Sequence, residues 1–480
     1  MKGASRGRIA RRNAGDAVSP DEARSVLWVV GLASFLMPFG SSSVPVALPA
    51  IGHEFGLDTL TLNRVLTVFL MSVSAIFVPA GRYADIHGRR RVFAWGIAIF
   101  TVASMGAALA TGLVTLLTAR VVQGVGAACM ATSSTAMIAS VYPPGKMGEA
   151  QGYNVAAIYL GLSVGPFFGG LMTEHFGWRS LFVSHVVIGG ALLYSTARRL
   201  RGEWRDAAGE KFDGAGSALY AGVILLLTEG LLDATGPRGW TLLGAGIVGA
   251  GVFLRRELRG GNPVFPLDLF RGNVTFTFSN LAALINYAAT FAQGFLMSLY
   301  LQEVRGMGPA LAGTILVAQP ILQTVFSPLA GRWSDRMDAG RLASLGMGCC
   351  AVGLGMFTCL RQDTSLGLIL GGQAFLGIGF GLFSSPNTNA VMSSVGGRRL
   401  GAASAILSTM RTNGMVMSMA MVGLVFGARM GNGTLSPETR EPFLHDTRVA
   451  FVMLTALCLA GIAASLARGK MRRKRNGGGL

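Results

Sequence analysis

Long apolar stretches, most of them the length of a bilayer-crossing helix, alternate along this chain with short charged segments. A hydrocarbon core of roughly 30 Å takes about 20 helical residues to cross. The period-two alternation of a membrane strand is absent from these stretches. Backbone polar groups in lipid must find partners within their own segment, so the sequence predicts an all-α integral membrane protein. The predicted spans cover residues 26–51, 63–81, 92–112, 114–140, 151–173, 178–198, 215–233, 240–255, 274–303, 310–331, 342–360, 366–392, 401–428 and 449–467, fourteen in all. A 51% hydrophobic and 13% charged composition with only five Cys excludes an ordinary soluble enzyme and a disulfide scaffold. The first 24 residues are basic and polar, and the apolar run after them is too long for a signal-peptide core, so no cleavable leader is expected.

Basic residues set the orientation, because cytoplasmic loops retain an excess of Lys and Arg. The segments on the side of the N-terminus hold 31 of the 41, and the opposite loops hold seven. Both termini are therefore expected in the cytoplasm of a plasma (inner) membrane protein, which requires an even number of spans. The net charge of +18 is mostly this topology signal, because the basic residues are scattered over eight segments with no soluble domain to present them to nucleic acid.

Two charged segments share an order. GRYADIHGRRR occupies 81–91 after the second span and GRWSDRMDAGR occupies 331–341 after the tenth, with their leading glycines 250 positions apart. That offset implies duplication of a six-helix unit, with the seventh and eighth spans inserted between the copies. The expected layout is 6+2+6: a basic tail (1–25), an N-terminal bundle (26–199), an inserted helix pair with cytoplasmic linkers (200–272), a C-terminal bundle (273–468) and a second basic tail (469–480). Parallel repeats of this kind suit two bundles that rock about a midplane site.

The first charged segment resembles the cytoplasmic loop signature of the major facilitator superfamily, with Gly81, Asp85, Gly88, Arg89 and Arg90 in place. RVVQGVGAA from Arg120, GLSVGPFFGG from Gly161, FGWRSLFVSHVVIG from Phe176, PLDLFRGNVTF at 266–276 and LYLQEVRGMGPALAG at 299–313 are similar to the fourteen-span drug:proton antiporter family. The resemblance implies the facilitator fold and export by alternating access, driven by proton entry. It implies that Asp85 joins a charge network holding the bundles together on the cytoplasmic side, with Asp335 its weaker counterpart. It also implies that Arg120 takes part in proton transfer, and that Gly161, Gly165, Pro166, Gly169 and Gly170 form the bendable helix of exporters that exchange substrate for a proton.

The residues also carry readings of their own. Gly161, Gly165 and Gly169 lie four apart on one helical face, and Pro166 removes a backbone donor in the middle, giving a close-packed, bendable helix. Arg120 is an intramembrane cation that needs compensation. Its alternative to proton transfer is structural, bonded to carbonyls of a first span broken by Pro38, Pro45 and Pro49. Members of the family commonly carry an Asp in the first span, whereas LMPFGSSSVPVALPAI at 36–51 has Gly40 or Ser41 there and no carboxylate nearby.

Polar residues within spans are candidates to line a substrate cavity: Ser42 with Ser41 and Ser43, Asn154, Asn280, Asn286, Tyr287, Gln293, Gln319, Gln323, Asn387 and Asn389. Interhelical hydrogen bonding is the alternative for each of them. Arg411, in STMRTNGMVMSMAMVG, is the other embedded cation, and two embedded Arg with few acids suit an anionic or neutral amphipathic substrate. His185 is buried in the sixth span and could titrate, and a hydrogen-bonded helix contact is the preferred expectation for it. No phosphate-binding loop supports ATP-driven pumping, and the Cys and His residues lack metal-ligand spacing, so no cofactor or metal is expected. The expected protein is not an enzyme but a monomeric secondary exporter whose partners are a small molecule, protons and the lipid bilayer. The alternatives are a metabolite exporter or facilitator without proton coupling and, from another class, a channel or sensor.

Overall fold

A computed structural model describes residues 20–142, 144–200, 202–205, 207–259, 265, 267–334, 336–396, 399–429 and 439–467 of the chain, with side chains omitted for 20, 144–149 and 429. Its described elements are helical: α1 (Pro20–Phe55), α2 (Thr59–His87), α3 (Arg89–Ala108), α4 (Leu113–Val141), α5 (Pro144–Phe176), α6 (Arg179–Arg199), α7 (Gly214–Leu232), α8 (Pro237–Arg259), α9 (Val274–Thr290), α10 (Gln293–Leu299), α11 (Pro309–Leu316), α12 (Ala318–Ser334), α13 (Ala339–Phe357), α14 (Leu366–Ser393), α15 (Leu400–Arg429) and α16 (Arg440–Leu466). A short 3₁₀ turn (Leu267–Phe270) precedes α9, and a π-helical turn (Tyr300–Val304) follows α10.

Among the described residues, twelve helical segments are long and apolar enough to cross a membrane, with α9 through the π turn counted as one and α11 with α12 as another. The expected eighth and thirteenth spans coincide with α8 (23 residues) and α15 (30 residues), which are helical but fall outside those twelve. Large apolar side chains such as Val102, Val114, Ile247 and Val248 lie on exposed faces. Apolar surface of this extent suits contact with lipid.

Polar residues at the predicted boundaries start several helices. Asp58, Asp213, Asn273 and Asp338 each accept a hydrogen bond from the backbone N–H three residues on, at 2.9–3.0 Å, capping α2, α7, α9 and α13. Gly88 sits between α2 and α3 with φ of 121°, a conformation that a side chain would strain.

Two expectations about regularity need correction. The first span is not broken: α1 is continuous through Pro38, Pro45 and Pro49. Hydroxyls of Ser41 and Ser42 donate to the Pro38 carbonyl at 3.1 and 2.7 Å, and the Ser43 hydroxyl to that of Gly40 at 3.4 Å, so the polar run is folded back on its own helix. The interruption falls instead in the ninth span, where a turn at 291–292 separates α9 from α10. The Ala292 N–H there donates to the Ser418 hydroxyl at 3.0 Å. Irregular backbone within a span is sustained where protein groups of this kind satisfy it.

The chain divides into two compact units, 1–264 with 308–313, and 265–307 with 314–480. In the first, α1 packs on α5 and α6, α4 on α2 and α3, α3 on α6, and α7 on α2 and α8. In the second, α14 packs on α12 and α13, and α9 and α13 pack on α16, with α15 also against α9.

Each unit contains a seam closed by a reciprocal glycine pair. A Cβ on Gly96 would lie 2.8 Å from the Gly126 carbonyl oxygen, and a Cβ on Gly126 would lie 2.7 Å from that of Gly96. Gly346 and Gly379 stand in the same relation at 2.6 Å both ways. Gly346 follows Gly96 by 250 positions, the offset that separates the two charged segments.

Candidate functional site

The expected loop carrying Asp85 is instead the last turns of α2, joined through Gly88 alone to α3. The Arg89 guanidinium donates to Asp85 Oδ1 (Nε at 2.9 Å) and, across to α4, to the Ala136 carbonyl at 3.2 Å and the Ser140 hydroxyl at 2.9 Å. One cation thereby fixes the acid against the end of a neighbouring helix.

The linker between α6 and α7 folds over this junction of α2 and α3. Ala207 N–H donates to the Asp85 carbonyl at 3.1 Å, and Arg89 N–H to that of Trp204 at 3.0 Å. Arg90 N–H donates to Glu203 Oε1 at 2.9 Å, and Arg91 lies 3.6 Å from Glu203 Oε2. Arg82 pairs with Glu210, and the Tyr83 ring meets Phe212 edge-on at 5.5 Å. The Glu203 carboxyl also occupies the space that a Cβ on Gly88 would need. Burial pushes the Glu203 carboxyl above its ordinary range, against the N–H donors of Arg90 and Arg91 and the charges of Arg91 and Arg205. Sequence reasoning missed Glu203, Trp204, Ala207, Glu210 and Phe212, although Glu203 and Glu210 opposite a basic loop were a readable signal of charge complementarity. Gly81 faces Thr132 on α4 at ordinary contact distance, and Asp335 lies outside the described residues.

Arg120 on α4 is 2% exposed. Its guanidinium donates to Gln123 Oε1 at 2.5 Å and to the Val65 carbonyl at 3.3 Å, and lies over the Phe69 ring at 4.3 Å. Gln123 in turn donates to the Ser104 hydroxyl at 2.7 Å. Carbonyl oxygens and a ring face compensate the cation, and no carboxylate pairs with it among the described residues. The backbone acceptor comes from α2, not from the first span as its structural alternative supposed.

The glycines of α5 form the seam with α1. Cβ atoms at Gly161 and Gly165 would collide with the backbone of Phe35 and with the Ser42 side chain, and a Cβ at Gly169 would lie 2.8 Å from Ser43 Cβ. On the neighbouring face, Gly170 abuts the Pro309 carbonyl and the Pro166 carbonyl abuts Gly313, both within the segment 308–313 that groups with the first unit. Glu174 caps the start of that segment, accepting from Ala310 N–H at 2.8 Å. Ser42 is thus part of helix packing, and Asn154 on α5 is buried with Oδ1 unpartnered among the described residues.

In the second unit, the polar candidates gather on α9, α10, α14 and α15. Arg411 donates to the Thr388 hydroxyl at 2.6 Å and faces the Tyr287 ring at 5.7 Å, while its Nε has no partner among the described residues. Asn286 and Asn387 are fully buried with both amide atoms unpartnered among those residues. Gln293 donates to Gln373 Oε1 at 2.8 Å, which removes it from the unpaired set and adds Gln373, a residue the sequence reading did not single out. Gln319 and Gln323 lie on α12, where their carbonyls approach Gly377 and Gly381 of α14. Buried amides without partners carry a desolvation cost of about 1–3 kcal/mol each.

Among the described residues, twelve helical segments long and apolar enough to cross a membrane, a glycine-closed seam in each unit and polar groups buried inside the helices define a polytopic helical membrane protein. The family profile described as Major Facilitator Superfamily matches residues 30–280 and 279–478, and the chain belongs to that superfamily. Among curated relatives, the cephamycin export protein CmcT of Amycolatopsis lactamdurans is 31% identical, over 93% of this chain and 93% of its own. The riboflavin transporter RibZ of Clostridioides difficile is 26% identical, over 91% and 95%. A crystal structure of the peptide transporter POT in complex with alafosfalin shares the fold with a TM-score of 0.68 at 13% identity, covering 90% of this chain and 93% of that one.

Proposed function

We propose that this transporter is a secondary active exporter of small amphipathic compounds, drugs or natural products, working by alternating access as a proton antiporter of the fourteen-span drug:proton family. The carrying observation is the α5 seam: Gly161, Gly165 and Gly169 hold α5 against α1 with no room for a side chain, while Pro166 and Gly170 face the segment 308–313. A helix packed by glycine on two faces and missing one internal donor can shift without unpacking large side chains. The export protein among the relatives supports the same direction of transport. In this reading α8 and α15 join the twelve apolar segments as spans, the layout is 6+2+6, both termini are cytoplasmic, and the monomer is the working unit.

The substrate is an anionic or neutral amphiphile. Arg411 offers a cation with an unpaired Nε, Asn286 and Asn387 offer unpaired amides, and Tyr287 and Phe380, edge to face at 5.0 Å, offer apolar surface. Asp85 and Arg89 act as the conformational switch, and Arg120 holds α4 to α2 at the proton-transfer region.

The test is dye efflux from proteoliposomes under an imposed pH gradient, comparing carboxyfluorescein with ethidium. Gradient-driven efflux that prefers the anion is expected, and transport indifferent to the gradient overturns proton coupling. The second reading, a metabolite transporter without proton coupling, is favoured by the riboflavin transporter among the relatives and by the absence of an acid from 25–52.

A further inference from the structure

Across residues 25–52, 65–81, 92–145, 150–173 and 180–197, which make up the interiors of α1 to α6, the only Asp, Glu, Lys, Arg or His side chains are Arg120 and His185. Arg120 donates to the Val65 carbonyl and to Gln123 Oε1. His185 is not: it is 0% exposed, and neither ring nitrogen has a hydrogen-bond partner among the described residues. The hydrogen-bonded helix contact expected for it is therefore corrected.

The imidazole sits in an apolar box. Phe39 of α1 and Phe182 of its own helix meet it edge-on at 5.6 and 5.8 Å, and Phe100 of α3 lies at 5.9 Å. Gly40 completes the box: a Cβ there would lie 3.2 Å from both Cε1 and Nε2, so the ring rests against the α1 backbone. The rings of Phe39, Phe100 and Phe182 surround it, and Arg120 is the one charged side chain in these stretches. A phenyl ring would fill such a box without leaving a donor and an acceptor unpaired, whereas each unsatisfied group of the imidazole keeps its desolvation cost. A buried polar group kept at that cost points to a functional use.

We propose that His185 is the proton-carrying residue of the first unit. This rests on the proton-coupled reading above and names the group that reading lacks. In the closed box the ring is neutral, since an imidazolium there would lie among phenyl rings with no carboxylate beside it. When helix movement admits water, a proton passes from hydronium to the free ring nitrogen; before the box closes again, the same N–H bond breaks and the proton returns to water. Closure thereby ejects the proton, and the charge state of one side chain is tied to which conformation the protein occupies.

The decisive measurement is imidazole ¹⁵N NMR in liposomes, on full-length chain in which His53, His87, His175 and His445 are replaced by Gln so that His185 alone reports. Protonation of the ring with a midpoint between pH 5 and 8 is expected, and a ring that stays neutral down to pH 5 overturns the assignment. A second arm drives carboxyfluorescein with a pH gradient in wild type, His185→Gln and His185→Phe. Both variants should lose gradient-driven accumulation at least tenfold while keeping dye exchange at equal pH, and retention of gradient-driven accumulation by either overturns the proposal. Wild-type protein that ignores the gradient counts against the antiporter reading itself, with His185 then judged by the NMR titration.

Discussion

The main-chain carbonyl of Asp85 accepts a hydrogen bond from the N–H of Ala207, 3.1 Å away and more than a hundred residues along the chain. The acid of the signature loop is held from both sides, its side chain by Arg89 and its backbone by the linker that leads to α7.

Ala207→Pro removes that donor without changing any charge. A loss of about 1 kcal/mol in stability is expected, together with faster protease cleavage between α6 and α7. Thermal unfolding and limited proteolysis in detergent measure the two effects, and cleavage at the wild-type rate would show that the linker is held by other contacts.

Glu203 adds a pH dependence with a defined sign. Burial raises its carboxyl above the ordinary value, so the folded state binds the proton more tightly than the unfolded chain does. Its contribution to stability is then fully present below the ordinary carboxylate value and is lost as pH rises from there through the raised folded value. Glu203→Gln should flatten that decline in a melting-temperature profile while leaving the acceptor for Arg90 N–H in place.

Arg120→Met leaves the Gln123 carbonyl oxygen and the Val65 carbonyl without their donor. Hydrogen bonds from a charged group are each worth about 1.5–3 kcal/mol, and the relief of burying the cation offsets part of the loss of two, so a net loss of about 2 kcal/mol is expected. Arg120→Lys, which keeps the charge and loses the planar fork, should recover only part of it. Chemical unfolding of the three proteins ranks them, and equal stability of Met and Lys variants would exclude a charge contribution.

Gly126→Ala and Gly379→Ala test the duplicated seam. Each added methyl would press on a carbonyl of the facing glycine, at 2.7 and 2.6 Å respectively. Overpacking of this kind costs about 1–3 kcal/mol. The two variants should fall in melting temperature by similar amounts, whereas Gly222→Ala, whose added Cβ meets nothing within 4 Å, should not.

Arg411→Ala should weaken binding of carboxyfluorescein at least tenfold while leaving ethidium binding within twofold. Fluorescence polarisation on purified protein separates the two, and parallel loss for both dyes would make Arg411 a structural group rather than a charge selector.

The order of the apolar stretches, the two charged segments at their fixed offset and the glycine spacing of α5 were all legible in the chain, because hydropathy and helical period are properties of neighbouring residues. They determined an all-helical membrane protein with an internal repeat. Which groups meet was decided by the tertiary structure alone. Three prolines left α1 whole while the ninth span, with no proline at 291–292, was interrupted beside Ser418. Arg120 found its carbonyl on α2, and His185 came to rest between phenylalanines of three helices with no partner among the described residues. A side chain's partner depends on which distant helix packs against it, and that information is not carried by the residues on either side.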